Sequence, residues 1–231
     1  MQKFNKGKVR IGTVLIWGGV ATVAIVPIIA AATSPLLAWR DPIYIAAGFA
    51  GIIALVLLFV QPLLAGGFLP GLSASIRLRM HLWMGGVLVA AVMAHVFGLW
   101  VTSPPDVIDA LLFASPTPFS AWGVIAMWTV FSAALMAVFR RRMLVRPRTW
   151  RLGHTVLVTI TVIGSVVHAF LIDGTMETLS KIVLCFLVGT ETTGRTHIDH
   201  QHYRHFAFFA ELFFGKFPGQ VAFAKDENAI A

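Results

Sequence analysis

The chain has 231 residues, 58% of them hydrophobic and 12% charged, which excludes an ordinary soluble domain. Its net charge of +8 comes from basic residues set at the ends of apolar blocks, which excludes the continuous basic face of a nucleic-acid binder. A single cysteine, Cys185, excludes an internal disulfide and any cysteine-based metal cluster.

Five apolar blocks approach or exceed the ~20 residues that cross a bilayer as a helix. They cover 11–33, 43–66, 82–101, 119–139 and 152–172. A sixth, 179–189, is too short to span alone and needs neighbouring polar residues drawn in. The predicted fold class is an all-α integral membrane bundle of five helices plus one short, incomplete one. The first block follows Lys3, Lys6, Lys8 and Arg10 and ends in small residues, the grammar of a signal peptide. Its apolar run exceeds the length of a signal core and more spans follow, so it is read as a retained helix.

Charge sets the orientation. Basic residues cluster before the first span, between the second and third (Arg77, Arg79), and between the fourth and fifth (Arg140, Arg141, Arg142, Arg146, Arg148, Arg151). The alternate loops carry Arg40 with Asp41, then Asp106 and Asp109, then Asp173 and Glu177. By the positive-inside rule the amino terminus is cytoplasmic, and the chain is expected as a multi-pass protein of the cell membrane with lipid as its first partner. There is no glycine-rich dinucleotide fingerprint, no stretch for a flavin or nucleotide fold, and no repeat of solenoid length.

Eight histidines are the chemically distinctive residues. His81 and His95 lie at the two ends of the third span; His154 and His168 lie likewise in the fifth. Each pair is fourteen residues apart, which on an α-helix returns to within about 40° of the same face after a rise of about 21 Å. Both spans run outward, so His81 and His154 share a cytoplasmic level and His95 and His168 share an outer one. Ionisable groups inside a membrane are costly, and metal ligation offsets that cost by satisfying the imidazole lone pair. Two levels this far apart do not converge on one tetrahedral zinc. One imidazole from each of two helices suits the axial positions of a haem iron instead. Gly85, Leu88 and Ala91 in the third span, and Val158, Thr161 and Gly164 in the fifth, lie between the histidines on that face. Glycines four residues from a ligand leave room for a porphyrin; glycine also serves close helix packing in membranes. Arg77, Arg79 and Arg151 sit within about a turn of His81 or His154, where a guanidinium pairs a haem propionate or simply obeys the charge rule.

The segments "RLRMHLWMGGVLVAAVMAHVF" and "RTWRLGHTVLVTITVIGSVVHAF" resemble the third and fifth helices of the ferric reductase-like transmembrane domain. That family includes ferric-chelate reductases, NADPH oxidases and the haem subunit of a bacterial methionine sulfoxide reductase system. The resemblance covers about residues 12–189 and includes Trp150, four before His154. It implies domain limits of 1–189 for a haem-binding membrane domain, with 190–231 as a separate tail. It implies two b-type haems, an inner one on His81 and His154 and an outer one on His95 and His168. Arg79 and Arg151, from their place beside the inner pair, are the further candidate cofactor-binding residues. The chain departs from the family in lacking the flavin and nicotinamide domain, and in turning abruptly polar near Gly189.

The expected function is transmembrane electron transfer, as the membrane subunit of an oxidoreductase and without a catalytic residue of its own. The donor is a partner flavoprotein, a reduced flavin or a quinol on the cytoplasmic side. The acceptor is a ferric chelate, dioxygen or an exported redox protein. The alternative is a haem-free membrane scaffold or transport subunit whose histidines bond one another. In the tail, His197, Asp199, His200 and His202 offer a metal tract of a kind usually weak. Residues 204–217 hold six phenylalanines, and suit the membrane interface or a docking partner.

Overall fold

A computed structural model describes residues 6–172, 181–182 and 184–188. The tail and the polar residues flanking the sixth block lie outside the described residues. Six α-helices follow in order: α1 Lys6–Ala32, α2 Pro42–Gly66, α3 Ala74–Thr102, α4 Pro104–Leu111, α5 Pro118–Val138 and α6 Pro147–Leu171. No strand occurs among the described residues. All but α4 are long and apolar enough to cross a membrane, so the five expected spans are present and the chain is an all-α membrane bundle. Of the sixth block, residues 181–182 and 184–188 are helical, with Leu184, Cys185 and Val188 buried.

The helix ends follow from local chemistry. Asp41 caps α2, its Oδ1 accepting from Ile43 N at 2.7 Å and Tyr44 N at 3.3 Å, with Pro42 at the first helical position. Ser73 caps α3 by accepting from Ile76 N. Proline also opens α4, α5 and α6. α2 stops at Gly67, whose φ of +78° is open to glycine and strained for other residues.

Packing divides the spans into two antiparallel hairpins. α2 packs along α3, and α5 along α6. α1 lies on α2, and Trp17 Nε1 of α1 donates to Pro70 O, in the connection between α2 and α3, at 3.3 Å. The hairpins meet more lightly, through α3 and α5 and through the short α4. α2 is the most enclosed span, whereas α3 and α6 keep most of their surface open. Within each hairpin the helices approach at small residues, as membrane helices do for want of a hydrophobic drive between them. A Cβ added at Gly98 of α3 would lie 2.7 Å from Ala47 Cβ of α2. One added at Gly164 of α6 would lie 3.0 Å from Trp122 O and 3.1 Å from Ala126 Cβ of α5. Midway along the second hairpin, buried Thr161 places its Oγ1 2.9 Å from Thr129 Oγ1.

Candidate functional site

The outer histidines come from different hairpins and meet. The rings of His95 on α3 and His168 on α6 have centroids 6.3 Å apart and planes at 80°. Each ring is anchored within its own hairpin. His95 Nδ1 donates to Ala47 O on α2 at 2.8 Å; His168 Nδ1 donates to Phe119 O on α5 at 2.9 Å.

The same backbone device makes both bonds possible. A helical Cβ tilts toward the amino terminus, so the side chain at position i+4 covers the carbonyl at position i. Four residues after Ala47 stands Gly51; four after Phe119 stands Gly123. A Cβ at Gly51 would fall 3.0 Å from His95 Nδ1, and one at Gly123 would fall 2.7 Å from His168 Nδ1. Each glycine therefore uncovers a carbonyl that already serves its own helix, and the second lone pair of that oxygen takes the imidazole N–H.

These bonds decide the tautomer. A carbonyl only accepts, so both Nδ1 atoms carry hydrogen and each neutral ring keeps its lone pair on Nε2. A backbone carbonyl on the far nitrogen is the usual outer partner of a metal-ligating histidine. Two imidazoles on opposite sides of one metal, with bonds of about 2 Å each, hold their centroids about 6 Å apart. The outer pair fits that spacing. The bonding is ill-suited to two histidines joined to each other, because two neutral Nε2 acceptors share no proton.

At the level of His81 and His154 the supports differ. His81 Nδ1 donates to Gln61 O of α2 at 3.3 Å, which again leaves Nε2 as the lone-pair nitrogen. His154 is stacked on Trp150 one turn before it, with centroids 5.2 Å apart and planes at 7°. Trp150 is itself fixed, since its Nε1 donates to Met136 O of α5 at 3.2 Å. The Arg140 guanidinium lies over the Trp150 ring, 4.6 Å from its centroid. All four histidines are half-buried. Arg79 and Arg151 are exposed at the basic end of the bundle, and Arg77 lies against Gly67.

Two glycines that the sequence offers as porphyrin space are used otherwise. A Cβ at Gly85 would lie 3.2 Å from Gln61 Nε2, and Gly164 is closed against α5. Gly85 makes room for the Gln61 amide, and Gly164 for the close approach of α5, each inside a hairpin. Ala47, Gly51, Phe119, Gly123 and Gln61, by contrast, enter the site only through the structure. Among the described residues no group of three or more His, Cys, Asp or Glu side chains gathers to hold a metal ion. Compared with known proteins, the chain matches no family model, and no curated protein or solved structure is significantly similar to it.

Proposed function

We infer that this chain is a bis-histidine dihaem cytochrome b of the ferric reductase-like kind, carrying electrons across a membrane. The observation that supports it best is the outer pair: two helices from separate hairpins present imidazoles 6.3 Å apart, both with Nδ1 committed to a carbonyl. A haem held by such a pair would supply a one-electron carrier suited to outer-sphere transfer rather than to substrate binding.

The protein's own contribution is to hold the ligand rings. Ala47 O and Phe119 O set the outer tautomers and ring directions; Gln61 O does so for His81; Trp150 holds the plane of His154. Arg79 and Arg151, at the cytoplasmic end, are suited to pair carboxylates there. The fourteen-residue interval separates the two levels by about 21 Å of rise. With the basic end cytoplasmic, an electron moving outward leaves a negative interior, a drop worth ~2.3 kcal/mol per 100 mV. The donor is a separate flavoprotein, a reduced flavin or a quinol, and the acceptor lies on the outer side.

A haem-free scaffold with mutually bonded histidines is the competing reading, and the Nδ1 bonds weigh against it. The deciding experiment is the reduced-minus-oxidised absorption spectrum of the purified protein after expression with ample haem. Sharp α and Soret bands of a low-spin b haem are expected. A flat difference spectrum returns the protein to the scaffold class.

A further inference from the structure

A glutamine buried in a membrane-spanning helix carries two N–H donors and an acceptor oxygen where only protein groups can satisfy them. Gln61 is such a residue. It sits in the run "LVLLFVQPLLAG" of α2 and is only 5% exposed. Among the described residues, its two hydrogen bonds to another helix both go to His81. The Gln61 backbone O accepts from His81 Nδ1, and its side-chain Nε2 donates to the His81 backbone O, each at 3.3 Å. The second bond depends on a glycine. Gly85 is four residues after His81 and leaves the His81 carbonyl uncovered, just as Gly51 and Gly123 uncover the carbonyls of the outer level. A Cβ at Gly85 would crowd the Gln61 amide at 3.2 Å. The Gln61 Oε1 is buried and makes no hydrogen bond among the described residues. Leucine would fill the same space without burying that oxygen, so packing alone does not account for the amide.

We propose that Gln61 is the positioning residue of the inner haem site, clasping His81 by ring and by backbone so that Nε2 is held as the ligating nitrogen. This rests on the inner histidine pair being a haem site. At both levels a backbone carbonyl holds the ring, but only at the inner one, among the described residues, does a side chain of the neighbouring helix also bond the histidine's own carbonyl. The two sites are therefore tuned by different groups, and a change at Gln61 acts on one of them.

The test is redox titration and low-temperature EPR of the purified full chain, comparing wild type with Gln61→Leu and Gln61→Asn. In Gln61→Leu the inner haem is lost, or keeps its place with a shifted midpoint and altered low-spin signal. The outer haem is unmoved and serves as the control for folding. Gln61→Asn retains the amide but falls one methylene short of the His81 carbonyl, and behaves like the leucine variant. If both haems of the wild type are present and Gln61→Leu leaves the inner signal and midpoint unchanged, the proposal fails. It also fails if both haems decline together, which marks a packing role, or if Gln61→Asn matches wild type while Gln61→Leu does not, which marks polarity rather than reach. A wild-type protein with no haem overturns the proposed function itself, and is told apart from these outcomes before any variant is made.

Discussion

His168 of α6 and Gly123 of α5 are fitted to each other: a methyl group on Gly123 would stand 2.7 Å from His168 Nδ1. The same relation holds between His95 and Gly51 in the other hairpin, at 3.0 Å. Each outer imidazole is thus seated on a carbonyl that only a glycine one turn later leaves accessible. The outer pair is a product of two separate helix contacts made by one rule.

Alanine at these glycines therefore has a diagnostic sign. In a helix interior Gly→Ala ordinarily favours the helix by about 1 kcal/mol. Here Gly123→Ala forces the ring off its carbonyl, and overpacking of this kind costs about 1–3 kcal/mol. The expected result is loss or marked weakening of the outer haem in Gly123→Ala and a smaller effect in Gly51→Ala, with the inner haem retained in both. Pyridine haemochrome content and the midpoint of each haem measure this. Full retention of an unaltered outer haem in Gly123→Ala would show that the glycine is there for helix packing alone.

Trp150 joins the inner level to the basic end of the bundle, with His154 stacked on it and Arg140 over its ring. Aromatic stacking of this geometry is worth about 0.5–1.5 kcal/mol beyond burial, or roughly a two- to tenfold change in an equilibrium. Trp150→Leu is expected to lower inner-haem retention by that factor in a haem-transfer assay to apomyoglobin. Trp150→Phe keeps a stacked ring and stays close to wild type. Equal effects on inner and outer haem in Trp150→Leu would place the tryptophan in general helix packing.

The spans were legible because length and hydropathy are local, and the apolar blocks mark five helices. Their starts were less so: α3 begins at Ala74 and α6 at Pro147, ahead of the apolar residues at 82 and 152, because the first turns are polar and basic. The matched fourteen-residue intervals also anticipated one meeting that the structure makes, that of His95 with His168. The partners of those rings were not legible. Which carbonyl His95 reaches depends on the register of α2 against α3, and nothing within either helix states that register. Once it is known, the agreement is simple: Ala47 and Gln61 are fourteen residues apart, as are the His95 and His81 they bond. Gln61 carried a signal in the sequence, as the lone amide in an otherwise apolar span. Gly85 and Gly164 were open to two uses, and the helix contacts that choose between them are tertiary.

The histidine-rich tail gives a further check. No Cys-x-x-Cys-His occurs in the chain, so the two proposed haems are expected to be non-covalent and extractable by acid acetone. Alanine at all of His197, His200, His202 and His205 is expected to leave two haems per chain and an unchanged spectrum. Loss of one haem in that variant would move a ligand out of the bundle and into the tail.

Pairing by level is the most exposed consequence of the arrangement. His95→Ala and His168→Ala each remove one side of the same pair, so each is expected to abolish the outer haem and leave the inner one. His81→Ala and His154→Ala do the reverse. Residues that act through one cofactor are not additive, so His95→Ala/His168→Ala resembles either single variant, with about one haem per chain remaining. His81→Ala/His95→Ala crosses the levels and removes both. The functional readout follows from the sidedness of the basic loops. In oriented vesicles, loss of the inner haem blocks reduction from the cytoplasmic face, while a membrane-impermeant reductant outside still reduces the outer haem. The discriminating variant is the same-level double. If His95→Ala/His168→Ala loses a full haem more than either single variant, the 6.3 Å meeting of those rings is not a shared site, and the four ligands pair along the bundle in some other order.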